Sequence, residues 1–289
     1  MKVLAYGEVL FDVFGMKEEI GGAPFNFAAH MARLGAKVEL MSAVGKDDRG
    51  VQVRRYLQKY RVSDRLLAET VFPTGVCQVT LNAQGVPSYE LVKPAAWDNI
   101  PWTETICEKI TEEDYDLLYF GSLSQREPVS EETLHWVLEK VSSRYRLFDC
   151  NIRPPYASRK TVRQGLECCT HLKVSREEAP ALTELKVVPT YEDHRRREWC
   201  RAVAEAYGLE QVLLTLDKDG AAVYDAVDGQ YAEQPAEPVT VVSTVGAGDS
   251  FAAGYMASQL SGDPIPVSLY KAVHLSSRVI QSTGAIQEE

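Results

Sequence analysis

Ser243-Thr244-Val245-Gly246-Ala247-Gly248-Asp249-Ser250-Phe251-Ala252-Ala253-Gly254 constrains this chain more than any other stretch. The β-branched run before it, Val239-Thr240-Val241-Val242, reads as a buried strand. Ser250 to Leu260 repeats apolar and small residues at helical spacing. Gly246-Ala247-Gly248 is then a tight turn opening a helix, with small residues that let a ligand approach the backbone. The first N–H groups of a helix lack intrahelical partners and carry partial positive charge, which suits an anion, phosphate above all. Asp249 has two readings. In a first helical turn a carboxylate is a cap favoured by the helix dipole. Beside a transferring phosphate it is a general base that takes the proton of an attacking hydroxyl.

Composition narrows the partners. The 289 residues suit one large α/β domain, and the 45% hydrophobic and 25% charged content is that of an ordinary globular protein. A formal net charge of −10 argues against nucleic acid and anionic membrane. An anionic ligand would need the local field of helix N-termini and Mg²⁺. Cys77, Cys107, Cys150, Cys168, Cys169 and Cys200 form no C-x-x-C and no metal spacing, and read as free thiols of a reducing, cytoplasmic compartment. Met1 to Gly7 reads as a first strand rather than a signal peptide, and no apolar run reaches the ~18 residues of a membrane span.

Three further stretches carry chemistry. Asp12 lies between apolar residues just after the first strand, as a turn residue or as an acceptor for ligand hydroxyls. Gly21-Gly22-Ala23-Pro24-Phe25-Asn26 leads into a small-residue helix that stops at Gly35. Asn26 is there a cap, an exposed residue or a ligand contact. Asp149, Asn151 and Arg153 alternate off the end of a strand, where open α/β sheets place ligands; the bland reading is a turn before Pro154-Pro155. Thr74 to Val92 predicts a hairpin around Asn82-Ala83-Gln84-Gly85. A ribbon this small must cover something, a cleft or a partner's ribbon, with Phe11 and Tyr89 as lid aromatics or core. Ser130 is the expected N-cap of the helix starting near Pro128. The basic run His194 to Arg197 reads as a solvated helix face.

Thr244-x-Gly246-Ala247-Gly248-Asp249-Ser250-Phe251 resembles the C-terminal signature of the ribokinase-like (PfkB) carbohydrate kinases. Gly21-Gly22-Ala23-Pro24-x-Asn26 and Asp149-x-Asn151-x-Arg153 look most like the fructokinases among them. The resemblance implies an α/β fold: a doubly wound, mostly parallel sheet with helices on both faces and a small β-sheet lid. It implies one domain over 1–289 with lid strands at about 9–20 and 72–96. It makes Asp249 the base and Gly246, Ala247 and Gly248 the anion hole. Asp12, Gly22, Asn26 and Arg153 would hold the sugar. Asn151, Thr215, Gly220 and Gly248 would lie on the nucleotide, and Glu178 would act on Mg²⁺ through water. The Val44-Gly45-x-Asp47-x-x-Gly50 turn is structural in this scheme, and Thr283 to Ile286 lines the adenine side.

Three positions depart from the pattern. Ser175 stands where Asn is usual, Asp217 where Gly is usual, and Ser243 where an Asp often helps hold a monovalent cation, so K⁺ activation is in question. The expected activity is ATP- and Mg²⁺-dependent phosphorylation of a free sugar, D-fructose first, with ribose, 2-keto-3-deoxygluconate and nucleosides open. A sugar phosphate is disfavoured because Lys93 alone charges the expected lid. A homodimer through the lid follows from the same resemblance. From other classes, a non-catalytic sugar- or nucleotide-binding regulator stays open. An oxidoreductase is disfavoured by the absent G-x-G-x-x-G, and no P-loop, H-E-x-x-H, G-x-S-x-G or D-F-G motif is present.

Overall fold

A computed structural model describes residues 1–81 and 87–287. The predicted hairpin turn at 82–85 lies outside the described residues. Successive residues of the first strand, β1 (Lys2–Tyr6), point to opposite cores, as strand geometry requires. Val3 and Ala5 join one apolar cluster, and Leu4 and Tyr6 another. A strand apolar on both faces belongs in the middle of a sheet covered on both sides.

The chain leaves β1 through β2 (Leu10–Phe14) and β3 (Lys17–Gly21), then returns by α1 (Ala23–Arg33) to β4 (Lys37–Gly45). Helix α2 (Asp48–Tyr60) precedes two short strands, β5 (Val62–Ser63) and β6 (Leu67–Thr70), and the hairpin β7 (Gly75–Leu81) and β8 (Pro87–Leu91). Alternation follows: α3 (Glu104–Thr111), β9 (Tyr115–Gly121), α4 (Pro128–Lys140), β10 (Ser143–Asp149), α5 (Arg159–Cys168) and β11 (His171–Ser175). Then come α6 (Ala179–Glu184), α7 (Arg196–Tyr207), β12 (Gln211–Thr215), the hairpin β13 (Ala221–Asp225) and β14 (Gln230–Gln234), and finally α8 (Ala247–Leu260) and α9 (Ile265–Val279).

The main sheet runs β14-β13-β12-β11-β10-β9-β1-β4-β5, with β6 also on β4. Every pairing from β12 to β5 and β6 is parallel; β13 and β14 are antiparallel. Strand order reverses between β1 and β9, so the loops after their carboxyl ends diverge and leave a crevice. One face is covered by α1, α2, α8 and α9 around Phe25, Phe27 and Phe251, the other by α3, α4, α5 and α7 around Leu134, Leu166 and Trp199. Each fully buried large apolar side chain contributes roughly 1.5–3 kcal/mol. The expected doubly wound, mostly parallel α/β sheet with helices on both faces is what forms.

The small sheet, β3-β2-β7-β8, stands over this crevice. β2 pairs antiparallel with β3 and parallel with β7, and β7 antiparallel with β8. Phe11 and Val13 pack into the core cluster of Phe25, whereas Leu10 packs with Cys77 and Val79 on the other side. The lid's base is fixed by two polar clamps. Asp47 accepts from Thr74 N at 2.8 Å, Thr74 Oγ1 at 2.6 Å and Gly50 N at 2.8 Å, the structural role expected of that turn. Arg126 binds Asp98 with both arms (2.6 and 2.8 Å), donates to the carbonyls of Leu91 and Val92, and stacks on Trp97.

Several expectations are corrected. Residues 239–242 form no strand: Val241 and Val242 are exposed, and with no neighbouring strand to pair with, Val242 N bonds the Ile280 carbonyl instead. Asp12 lies within β2, not after a strand. Ser130 is not a cap; it is buried inside α4, accepting from Ile100 N and donating to the Trp97 carbonyl. Of the two readings open for Phe11 and Tyr89, Phe11 is core, while Tyr89 is exposed on β8. Lys93 is not the lid's only cation, because Lys17 opens β3; Lys17 pairs with Glu19 and Lys93 with Glu127.

Candidate active site

Two helices begin at the crevice, each capped by a glycine at positive φ. Gly22 (φ +105°) precedes α1, and a Cβ there would stand 2.6 Å from the Glu8 carbonyl oxygen. Gly246 (φ +78°) precedes α8, where a Cβ would meet the Ala285 backbone at 2.7 Å. No other residue takes both the conformation and the close approach. Small residues continue the effect: a Cβ on Gly254 would be 3.0 Å from Ala272 Cα, so α8 and α9 pack backbone to backbone. The two first turns meet where Asn26 Nδ2 donates to Asp249 Oδ2 at 2.8 Å. His30, one turn further along α1, is buried against the Ala285 carbonyl (2.9 Å), and burial depresses its pKa to about 4. A neutral ring therefore ties α1 to the closing Gly284-Ala285 segment.

Asp249 stands at the floor of this arrangement. Burial pushes its pKa up to about 6 and the Asp149 carboxylate adds to the push, while the Asn26 amide, Lys173 and Arg153 pull it back. A base that titrates near neutrality is well matched to taking a hydroxyl proton. The turn above it, Gly246-Ala247-Gly248, presents the amides of a helix start.

Beneath the turn lies a buried ion pair that the sequence reading passed over. Lys173 Nζ donates to Asp149 Oδ1 at 2.9 Å, and Tyr119 Oη donates to Asp149 Oδ2 at 3.1 Å. A methyl group on Gly248 would stand 2.9 Å from Lys173 Nζ, so glycine there leaves room for the ammonium. Burial opposes the charge on Lys173, but Asp149, Glu178 and Asp249 outweigh it and raise its pKa above the usual value. The available signal was a lone charge in the buried strand His171-Leu172-Lys173-Val174-Ser175.

Glu178 is preorganised by backbone. Its Oε1 accepts from Ile152 N and its Oε2 from Ser175 N, both at 2.7 Å, and Ser175 Oγ returns a bond to Glu178 N at 3.2 Å. These reciprocal bonds close the turn ahead of α6, so Ser175 keeps a positioning task in place of Asn. Among the described residues no group of three or more His, Cys, Asp and Glu side chains could enclose a metal. Mg²⁺ needs no such cage, since it keeps several waters and few protein ligands. Each Glu178 oxygen has a lone pair left for a hydrated cation.

Across the crevice, Asp12 on β2 faces Cys77 on β7. Burial raises its pKa, the Cys77 thiol opposes that by hydrogen bonding, Glu19 raises it further and Arg153 lowers it. Arg153 is exposed, and its charge reaches Asp12, Glu8 and Asp249 alike, so its guanidinium overlooks the crevice from the far wall. Asn151 sits at φ +36° just beyond Asp149, and its carbonyl accepts weakly from Ser122 Oγ (3.4 Å).

Thr215 ends β12 and Gly220 ends the next turn. Gly220 is needed for packing, since a Cβ would meet the Gln234 carbonyl oxygen at 2.0 Å. Asp217 holds φ +52°, so it adopts the left-handed conformation that glycine would supply. Ser243 Oγ accepts from Val245 N at 3.2 Å. The structure thus brings Asp249, Gly246, Ala247, Gly248, Gly22, Asn26 and Asp12 to one crevice, with Arg153 over it. Glu178 and Asn151 stand beside Asp149 and Lys173, and Thr215 and Gly220 lie further along the same carboxyl edge. Among the described residues no helix is long and apolar enough to cross a membrane.

The crevice is floored by a carboxylate and lies between two glycine-capped helix starts of an α/β fold. Residues 2–289 match the model of the pfkB family carbohydrate kinases, and the chain belongs to that family. It is 28% identical to a fructokinase of Salmonella typhimurium over 294 residues, covering 99% of this chain and 92% of that one. It is 24% identical to a 2-dehydro-3-deoxygluconokinase of Haemophilus influenzae over 306 residues, covering 99% and 96%. The fructokinase from Vibrio cholerae O395, solved with fructose, ADP and calcium ion, superposes with a TM-score of 0.81 at 21% identity, covering 98% of this chain and 94% of that one.

Proposed function

We propose that this carbohydrate kinase transfers the γ-phosphoryl group of ATP to a hydroxyl of a free sugar, D-fructose giving fructose 6-phosphate. The observation that carries the reading is Asp249, a base tuned to about 6 and bonded to Asn26 at the mouth of the glycine turn. Asp249 takes the hydroxyl proton as that oxygen attacks the γ-phosphorus and the bond to the ADP oxygen breaks. The amides of the first turn of α8 hold the charge on the transferring group. Asp12, Gly22, Asn26 and Arg153 orient the sugar, and Asn151, Thr215, Gly220 and Gly248 lie along the nucleotide. Glu178 would hold Mg²⁺ through water, and the cation neutralises phosphate charge when bound. The small sheet acts as a lid that keeps water from the phosphoryl group.

Fructose is favoured by the full-length likeness to a fructokinase and by the fructose in a neighbour of the same fold. The likeness to a 2-dehydro-3-deoxygluconokinase keeps a sugar acid as the second substrate to try, with Arg153 to meet its carboxylate. ADP release over a panel of fructose, 2-keto-3-deoxygluconate, ribose, nucleosides and fructose 6-phosphate tests this, with the product located by NMR. Preference for fructose and a 6-phosphate product is expected; another preferred sugar would keep the mechanism and overturn the specificity. A homodimer through the lid belongs to the same reading, with Phe14 exposed at the end of β2 and Met16 in the turn after it; light scattering showing a monomer would refute it.

A further inference from the structure

Glu8 stands two residues beyond β1, and no step above uses it. It is 2% exposed. The backbone N–H groups of Glu8 and of Ala23, the first residue of α1, favour its ionised form, yet among the described residues Oε2 has no hydrogen-bond partner. A second buried oxygen, Asn26 Oδ1, is also without a partner, on the very residue whose amide nitrogen holds Asp249. Two orphaned buried oxygens therefore flank the candidate base. Leaving such groups unpaired is costly, and a ligand that completes their bonds recovers that free energy.

We propose that Glu8 is a further substrate-binding residue whose Oε2 hydrogen-bonds the acceptor sugar at the hydroxyl next to the one that Asp249 deprotonates. The inference rests on the sugar-kinase reading. Charge supports it. Burial pushes the Glu8 pKa up to about 8, Asp249 on α8 adds to the push, and its backbone bonds and Arg153, beyond β10, lower it. Tyr119 on β9 faces the same carboxyl and keeps its phenol proton. At neutral pH Glu8 is thus an uncharged acid that donates through Oε2 without setting a second anion beside Asp249. A residue serving only to cap α1 would gain from a negative charge at the helix start; this one forgoes it. The group that fits is a neutral hydroxyl, so a substrate carboxylate must bind elsewhere, on the Arg153 side.

The test compares wild type, Glu8→Gln and Glu8→Leu by sugar KM, ATP KM and the pH profile of kcat/KM. Leu removes the donor and should raise the sugar KM about tenfold with the ATP KM little changed. Gln keeps a neutral donor, so its sugar KM should stay near wild type, and it should lose the wild-type decline of kcat/KM above pH about 8. If Leu fails to fold, the alkaline limb of Gln against wild type decides. An unchanged sugar KM in folded Leu, or an alkaline limb that Gln retains, would overturn the role of Glu8 and leave the kinase reading intact. Absence of sugar-dependent turnover in wild type would overturn both.

Discussion

The two ends of the central sheet handle buried charge in opposite ways. At the amino end, Glu39 on β4 takes both arms of Arg65 (2.8 and 3.0 Å) and the hydroxyl of Tyr115 (2.5 Å), and Arg65 also donates to the Lys109 carbonyl. Every partner there is protein, and the network joins α3, β4 and β9. At the carboxyl end, Asp249 and Glu8 are held above their ordinary pKa values, and among the described residues the buried Glu8 Oε2 and Asn26 Oδ1 have no partner. The first arrangement is complete without a ligand. The second is left open, as expected where a fold gives up stability for function. What separates them is position: strand ends at the switch point face a crevice, and the opposite ends face loops that close over them.

The contrast can be broken by substitution. Asp249→Asn should lower kcat about 10³-fold with little change in either KM, the usual scale for losing a general base. The same variant should melt no lower than wild type, because it removes a half-buried carboxylate held unfavourably ionised; a lower melting temperature would contradict the open end. Arg65→Ala should do the reverse. It strands Glu39 and should destabilise by about 2–3 kcal/mol in urea unfolding, while kcat stays within about twofold at a temperature where the variant is folded. Asp12→Ala should raise the sugar KM about tenfold and leave the ATP KM alone.

The smallest effect sharpens the comparison by pH. Asp249 must be ionised to act, so kcat/KM should fall as pH drops through about 6. Sign fixes this direction: the raised pKa brings protonation, and loss of the base, into a mildly acidic range that an exposed aspartate would not feel. A profile flat down to pH 5 would exclude Asp249 as the base.

Much of the carboxyl end was legible in sequence because its turns demand particular residues. Gly22 and Gly246 need positive φ and close approach, and both appear as Gly before a small-residue helix. Asp217 hid the same conformation, since aspartate tolerates it and no glycine marks it. Ser175 and Glu178 bond each other across a turn ahead of α6, a pairing that spacing alone does not mark. Glu8 and Lys173 were missed for another reason. Each is one charged residue in or just past an apolar strand, and only burial and partners distant in sequence give it a task. The run 239–242 misled because β-branching favours a strand only where a partner strand exists, and here the partner is the end of α9. β5 and β6, two and four residues long, carry too little alternation to be seen.

On the proposed function, the open end of the sheet moves a phosphoryl group to a sugar hydroxyl. ADP release by the wild-type protein, with Mg²⁺ and saturating ATP, measured with and without fructose, tests it most directly. ADP release that requires the sugar and matches sugar phosphate formed one for one is expected. ATP turnover at the same rate with no sugar present, or none with any sugar of the panel, would contradict it.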